Sequence, residues 1–274
     1  MSVLSTACVR QKLREVEGAC HEALLGRAPP AIPALVARDI EVREAKLHPP
    51  KEGLSTPLGR ARLLHDMASI ELQAMELALR GLQEYPDAPR EFREELAALT
   101  LSEAGHLKLC LDTLEDLGHR WGDWPVHLSL WQAVSAEDSL LDRVLIVHRY
   151  LEASGLDAGD RLLRRLEGLG RPDGTQDVIE LIHREEIGHV DFGSRWYREL
   201  CRAQRIDPDH DFPVRMGGLR QRLPYRTENL AVEIRLKAGF TMKEILEMED
   251  WRLRSRREAS SPSAFSRPAF PPNS

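Results

Sequence analysis

Four long stretches of the sequence repeat their apolar residues every three to four positions, and no convincing two-residue alternation competes with them. The first covers about 58–84, with Leu63, Leu64, Met67, Ile70, Leu72, Met75, Leu77 and Leu79, and stops at the proline turn "EYPDAP". The second runs over 88–118, to Gly118. The third, about 136–168, opens at "SAED", where Ser135 and Asp138 have capping-box spacing, and ends in "GLGRPDG"; the fourth covers about 175–204. A short turn inside each pair makes its helices antiparallel neighbours. The 119–134 segment between the pairs, with Trp121, Trp124, Pro125 and Trp131, is too long for a turn and reads as an ordered crossover. The pattern predicts an all-α protein: a four-helix bundle over 58–204 with a long crossover between its second and third helices.

The flanks are less regular. Residues 4–26 place Leu4, Cys8, Leu13, Val16, Cys20 and Leu24 on one helical stripe, and the Pro/Gly-rich "GRAPPAIPA" and "KLHPPKEGLSTPLG" predict an extended strap, so that 1–57 make an N-terminal helix and strap. After a loop beyond 205, helices over "TENLAVEIRLKAG" and "TMKEILEMEDWRLRSRR" form a C-terminal extension, 205–257, packed on the bundle. The Pro/Ser-rich tail 258–274 is expected to be disordered. At 274 residues and 42% hydrophobic content the chain can bury a sizeable core.

A net charge of −6 with both signs mixed advertises no nucleic-acid face, and the basic clusters "RLLRR" and "RLRSRR" read as solvated helix faces. Cys8, Cys20, Cys110 and Cys201 lack zinc-site or disulfide-scaffold spacing and read as reduced thiols. The N-terminus reaches charge too soon for a signal peptide, and no apolar run approaches the roughly 18 residues of a membrane span. The expectation is a cytoplasmic protein without a membrane partner.

The chemistry rests on a repeated pair. "LSEAGHL" and "HREEIGHV" each set a glutamate three residues before a histidine, Glu103 with His106 and Glu186 with His189. Residues three apart share a helix face, so each pair aims a carboxylate and an imidazole at one point. One such pair is weak, since most are solvated ion pairs. Here the other two helices carry Glu71 and Glu152 within largely apolar stretches, and the mirror positions agree. The midpoint of Glu71 and Glu103 is residue 87, inside "YPDAP", and that of Glu152 and Glu186 is 169, inside "EGLGRPDG". At about 1.5 Å per residue, all four glutamates lie roughly 24 Å from their turns. Four Glu and two His converging at one depth are a ligand set for two iron ions, or a Mn/Fe pair, with one histidine for each metal. Glu76 competes with Glu71, but its mirror falls near residue 98, where no ligand type stands; Glu185 competes with Glu186 but lacks the three-residue offset from His189.

Metal-bound histidines donate their second nitrogen to an acceptor, and Glu185, Ser102 and Asp157 are the candidates, each weighed against a surface role. His148 and His183 are expected to be structural, His65 to stand near a pocket mouth, and Tyr150 and Tyr197 to be core residues. No catalytic residue beyond the metal ligands and no organic cofactor site is expected.

With these residues assembled, the chain resembles the ferritin-like di-iron carboxylate superfamily, whose signature is Glu, Glu-x-x-His, Glu, Glu-x-x-His on four helices. More narrowly, "GRARLLHDMASIELQAMELAL", "LSEAGHL", "LEASGLDAG" and "REEIGHVDFGSRWY" look like the bacterial family called domain of unknown function 455, relatives of tRNA-modifying hydroxylases. The likeness spans about 45–240 and includes "LPYRTENLAVEIRLKAGF", where Arg226 replaces the usual Asn. It implies a ferritin-like four-helix metal core with the crossover already noted. The leading expectation is an oxygen-activating oxidase or monooxygenase acting on a small molecule, served by a reductase, as a monomer or dimer. Nucleic acid is disfavoured by charge, with tRNA kept open by the relatives. The other reading is metal handling: ferroxidase activity, storage or peroxide detoxification.

Overall fold

The structure, a computed structural model, describes residues 2–27, 30–170, 173–224 and 229–259. The tail expected to be disordered from 258 falls beyond them from 260 on, and so does Arg226. Among the described residues the protein is all-α, with one isolated β-bridge, Val42 to Val126, and no strand. The helices are α1 (Val9–Leu24), α2 (Pro57–Glu84), α3 (Arg90–Asp116), α4 (Leu140–Val144), α5 (Glu152–Glu167), α6 (Thr175–Ala203), α7 (Pro208–Gly218), α8 (Val232–Lys237) and α9 (Met242–Ala259). No described helix is long and apolar enough to cross a membrane.

The α2–α3 hairpin follows from its ends. Thr56 caps α2 by accepting from the Gly59 N–H at 3.0 Å, with Pro57 preset for the first turn. Tyr85 leaves the helical region because Pro86 follows it. Gly118, at φ +78°, closes the end of α3. α2 and α3 form the most extensive helix pair, α5 and the turn before it pack on α6, α3 meets α6, and α1 lies against α2 and α3. Most of α2 is buried on every side, as befits a helix between the N-terminal segment, α3 and the crossover.

The crossover is pinned to α2 by polar contacts that the sequence pattern does not reveal. Gln73 on α2 accepts from the Leu130 and Trp131 backbone N–H groups at 3.2 and 3.3 Å, and Arg80 lies 4.6 Å from the Trp131 ring centre. His65 is not at a pocket mouth. It is sealed under Trp121, stacked at 5.0 Å, and accepts from the Gly122 N–H at 3.2 Å; burial pushes its pKa down to about 4, so it is neutral at pH 7. Trp121 donates to Asp39 and Trp131 to the Ala34 carbonyl, which also fastens the N-terminal strap.

Three expectations need correction. The third long helix starts at Leu140, not after Ser135. The Ser135 N–H is tied to Asp138 in a local turn, and the reciprocal cap is Ser139 with Asp142. That helix is also not uniform: Leu145–Leu151 is a seven-residue π-helical stretch between α4 and α5. It lies against α6 at Gly193, where a Cβ would stand 2.5 Å from the Cβ of His148. The segment beyond 205 is not simply a loop, since Asp207 and Pro208 start α7 with a side-chain cap and a first-turn proline.

The C-terminal helices are anchored to the bundle by buried charge. Arg149 donates to Glu244 at 2.9 Å amid Tyr197, Phe212 and Phe240. Tyr150 donates to the Pro224 carbonyl at 2.6 Å and Tyr197 to Asp211, so both tyrosines serve the core. Cys20, Cys110 and Cys201 are buried free thiols and Cys8 is exposed.

Candidate metal centre

The site is assembled by the two hairpins. α3 supplies Glu103 and His106, α6 supplies Glu186 and His189, α2 supplies Glu71, and Glu152 opens α5 directly after the π-helical stretch. Such a stretch changes the helical phase, so it sets which face the following residue presents. Glu71 is buried although its neighbour Ile70 is 42% exposed; Leu72 and Ala74, not Ile70, mark the buried side.

Glu103, His106, Glu186 and His189 each offer one donor atom, and these atoms lie within 4.8 Å of one another. Glu103 stands between the imidazoles: its Oε1 is 2.8 Å from His189 Nδ1 and its Oε2 is 3.6 Å from His106 Nδ1. Glu186 Oε1 is 3.3 Å from His106 Nδ1 and 3.2 Å from His189 Nδ1. Glu71 Oε2 is 3.5 Å from His106 Nδ1, and Glu152 lies beside Glu186, with the buried His148 Nδ1 3.8 Å away.

These contacts lack hydrogen-bond geometry. Both Glu103 oxygens, Glu186 Oε1 and the Nδ1 atoms of His106 and His189 are buried without a hydrogen-bond partner. Buried polar atoms in folded proteins are almost always satisfied. Five that are not, converging on one space, fit a cation that they would share.

The far nitrogens are occupied. His106 Nε2 lies 3.0 Å from Glu185 Oε2, and His189 Nε2 lies 3.0 Å from Ser102 Oγ. A proton held on Nε2 by either acceptor leaves the Nδ1 lone pair aimed inward, the arrangement a metal-binding histidine needs. The residue before each glutamate of the two motifs thus orients the histidine of the opposite motif. Asp157 takes no such part. It stands five residues past Glu152, on another face of α5, and accepts from Arg235 at 2.7 and 2.9 Å, from Arg252 at 3.0 Å and from the Ala231 N–H. Its charge is spent on α8 and α9.

Glu76 is equally decisive as a negative. Its carboxylate, fully buried, is saturated by Lys12 at 2.7 Å and by both terminal nitrogens of Arg38, so it has nothing left for a ligand. The N-terminal helix that supplies Lys12 was legible, but this pairing was not.

Electrostatics at the centre are those of four carboxyls crowded around two imidazoles in a buried space. Burial, then the charges of Glu103 and Glu186, push the Glu71 and Glu152 carboxyls well above the carboxylate range. Burial also opposes ionisation of Glu186, yet His106 and His189 hold it below that range. His189, against the cost of burial, is pushed up to about 11 by Glu103 and Glu186, and His106 is raised further by Glu103, Glu186 and Glu71. His148 goes the other way, down to about 3, through burial and the nearby His189.

A cavity of about 230 Å³ reaches the centre between α2 and α5. Glu71, Glu152 and Glu186 line it together with Leu, Ile, Met, Val and Ala side chains, Gly155, Gly159 and His183, which packs on Gly159. Sequence periodicity located the apolar faces but not this space.

Fold and site together define an all-helical protein with a buried Glu/His cluster that can hold a metal ion. The chain belongs to the family described as Protein of unknown function (DUF455), whose model matches residues 4–246. It is 30% identical over 211 residues, covering 74% of this chain and 70% of the relative, to an uncharacterized protein of Haemophilus influenzae (strain ATCC 51907 / DSM 11121 / KW20 / Rd). No solved structure matches the chain with significance.

Proposed function

We propose that the protein is a ferritin-like dinuclear metal carboxylate enzyme that activates oxygen to oxidise a small organic molecule. The observation that carries this reading is the five orphaned donor atoms, with Glu103 placed to give one oxygen toward each histidine. Glu103 and Glu186 are then the shared carboxylates, Glu71 the further ligand on the His106 side and Glu152 that on the His189 side. Two iron ions, or a Mn/Fe pair, would supply the redox chemistry for oxygen reduction. Inserting one oxygen atom into a C–H bond while the other leaves as water takes two further electrons, so an electron-donor protein is part of the proposal. His106 and His189 are fixed by Glu185 and Ser102, and the apolar cavity keeps water from the reacting face.

The same cavity supports an oxidase over iron handling or peroxide detoxification, because neither an iron ion nor peroxide needs a space walled by aliphatic side chains. A cytoplasmic monomer or dimer without nucleic-acid or membrane partners completes the proposal. The test is anaerobic loading with Fe(II) followed by air. The expected result is a ferric absorption band with two irons per chain. A protein that stays colourless and binds a single zinc overturns the reading.

A further inference from the structure

The cavity beside the centre restricts what the enzyme can act on, and the restriction rests on the dinuclear reading above. Its mouth is marked by Ile70 and Gly155, which are exposed on α2 and α5, and its inner end by the buried Glu71 and Glu152. Between them the walls are apolar. No Lys or Arg lines the cavity among the described residues, and the one imidazole, His183, has its pKa lowered by burial. An anionic group drawn inside would lose its water and find no Lys or Arg to pair with, nor any net positive charge at the inner end. A cationic group would find those carboxylates already neutralised, since four glutamates and two divalent metals sum to no net charge.

Size narrows the occupant further. An apolar cavity of about 150 Å³ takes up benzene, so one of about 230 Å³ takes a molecule of roughly eight to ten carbons. We propose that the substrate is an uncharged molecule with an alkyl or alicyclic body of this size, entering between α2 and α5 past Ile70 and Gly155 with its reacting carbon toward Glu71 and Glu152. Gly155 and Ala158 determine how much of that body fits. A Cβ on Gly155 meets nothing within 4 Å, so a larger side chain there can grow into the mouth without straining the helix.

The test titrates the full-length protein, loaded anaerobically with Fe(II), with 1-octanol, octanoate and octylamine by calorimetry, with iron counted in the same samples. Octanol is expected to bind one per chain, at least about tenfold more tightly than either charged analogue. Gly155→Leu and Ala158→Leu are each expected to weaken octanol by about tenfold or more while iron stays at two per chain. Octanoate or octylamine binding as well as octanol, or octanol binding unchanged in both variants, overturns the proposal. Wild-type protein that takes up no iron overturns the dinuclear reading instead, and with it the substrate role of whatever the cavity binds.

Discussion

Glu103→Ala is expected to strip the centre of both metals at once. Glu103 is completely buried, and its two oxygens face different histidines, 2.8 Å from His189 and 3.6 Å from His106. Its loss therefore removes a ligand from each metal, whereas loss of Glu71 removes one from the His106 side alone. Changes in groups that merely orient a ligand lower metal affinity by about 10–100-fold, so losing a shared ligand exceeds about a hundredfold. After dialysis, elemental analysis should find close to no metal in Glu103→Ala and a partial complement in Glu71→Ala. Glu94→Ala, on the exposed face of α3, keeps the wild-type count. A Glu103→Ala protein with two metals per chain would falsify the shared-ligand assignment.

Metal binding should also raise stability by a large and pH-dependent amount. Without metal, the fold brings four carboxylates together in a buried space, and Glu71 and Glu152 are raised well above their unfolded values by burial and by Glu103 and Glu186. The sign follows from linkage. A carboxyl raised in the folded state holds a proton that the unfolded chain releases, so its contribution is fully present below about pH 4 and is lost as pH rises toward the folded value. Metal displaces those protons and takes over the charge, which makes its binding stronger as pH rises. At a free metal concentration about a thousandfold above Kd, binding adds roughly 4 kcal/mol, or about 8–16 °C in Tm for a chain of this size. Calorimetric scans with and without Fe(II) or Mn(II) at pH 7.5 should show this gap, and it should narrow at pH 5.5. An equal gap at both values would separate metal binding from these carboxyls.

What the sequence revealed and what it hid divide along a physical line. The helix ends at Tyr85 and Gly118 were readable because prolines and glycines act locally, whereas Thr56, which caps α2, lay within the stretch that reads as strap. The convergence of Glu71, Glu103, Glu152 and Glu186 was readable because an antiparallel hairpin turns distance from the turn into depth. Glu185 and Ser102 were found by adjacency to the motif glutamates, although each serves the histidine of the other motif. The π-helical stretch before Glu152 leaves no mark on the apolar periodicity and shows only in the packed structure, where it lies against α6 at Gly193. Asp157 misled because five residues along a helix is a change of face, and its arginine partners lie some 80 to 95 residues away in sequence. The Asp207–Pro208 start of α7 is a local signal too, a capping carboxylate followed by a first-turn proline. The cavity could not be read at all, because a void is a property of two helices facing each other.

The most direct measurement is anomalous diffraction at the metal edges from crystals of natively purified protein. The expected result is two peaks about 3.5–4 Å apart, one beside His106 Nδ1 and one beside His189 Nδ1, with Glu103 and Glu186 reaching both. A single peak, or none with the six side chains hydrogen-bonded among themselves, would contradict a dinuclear centre.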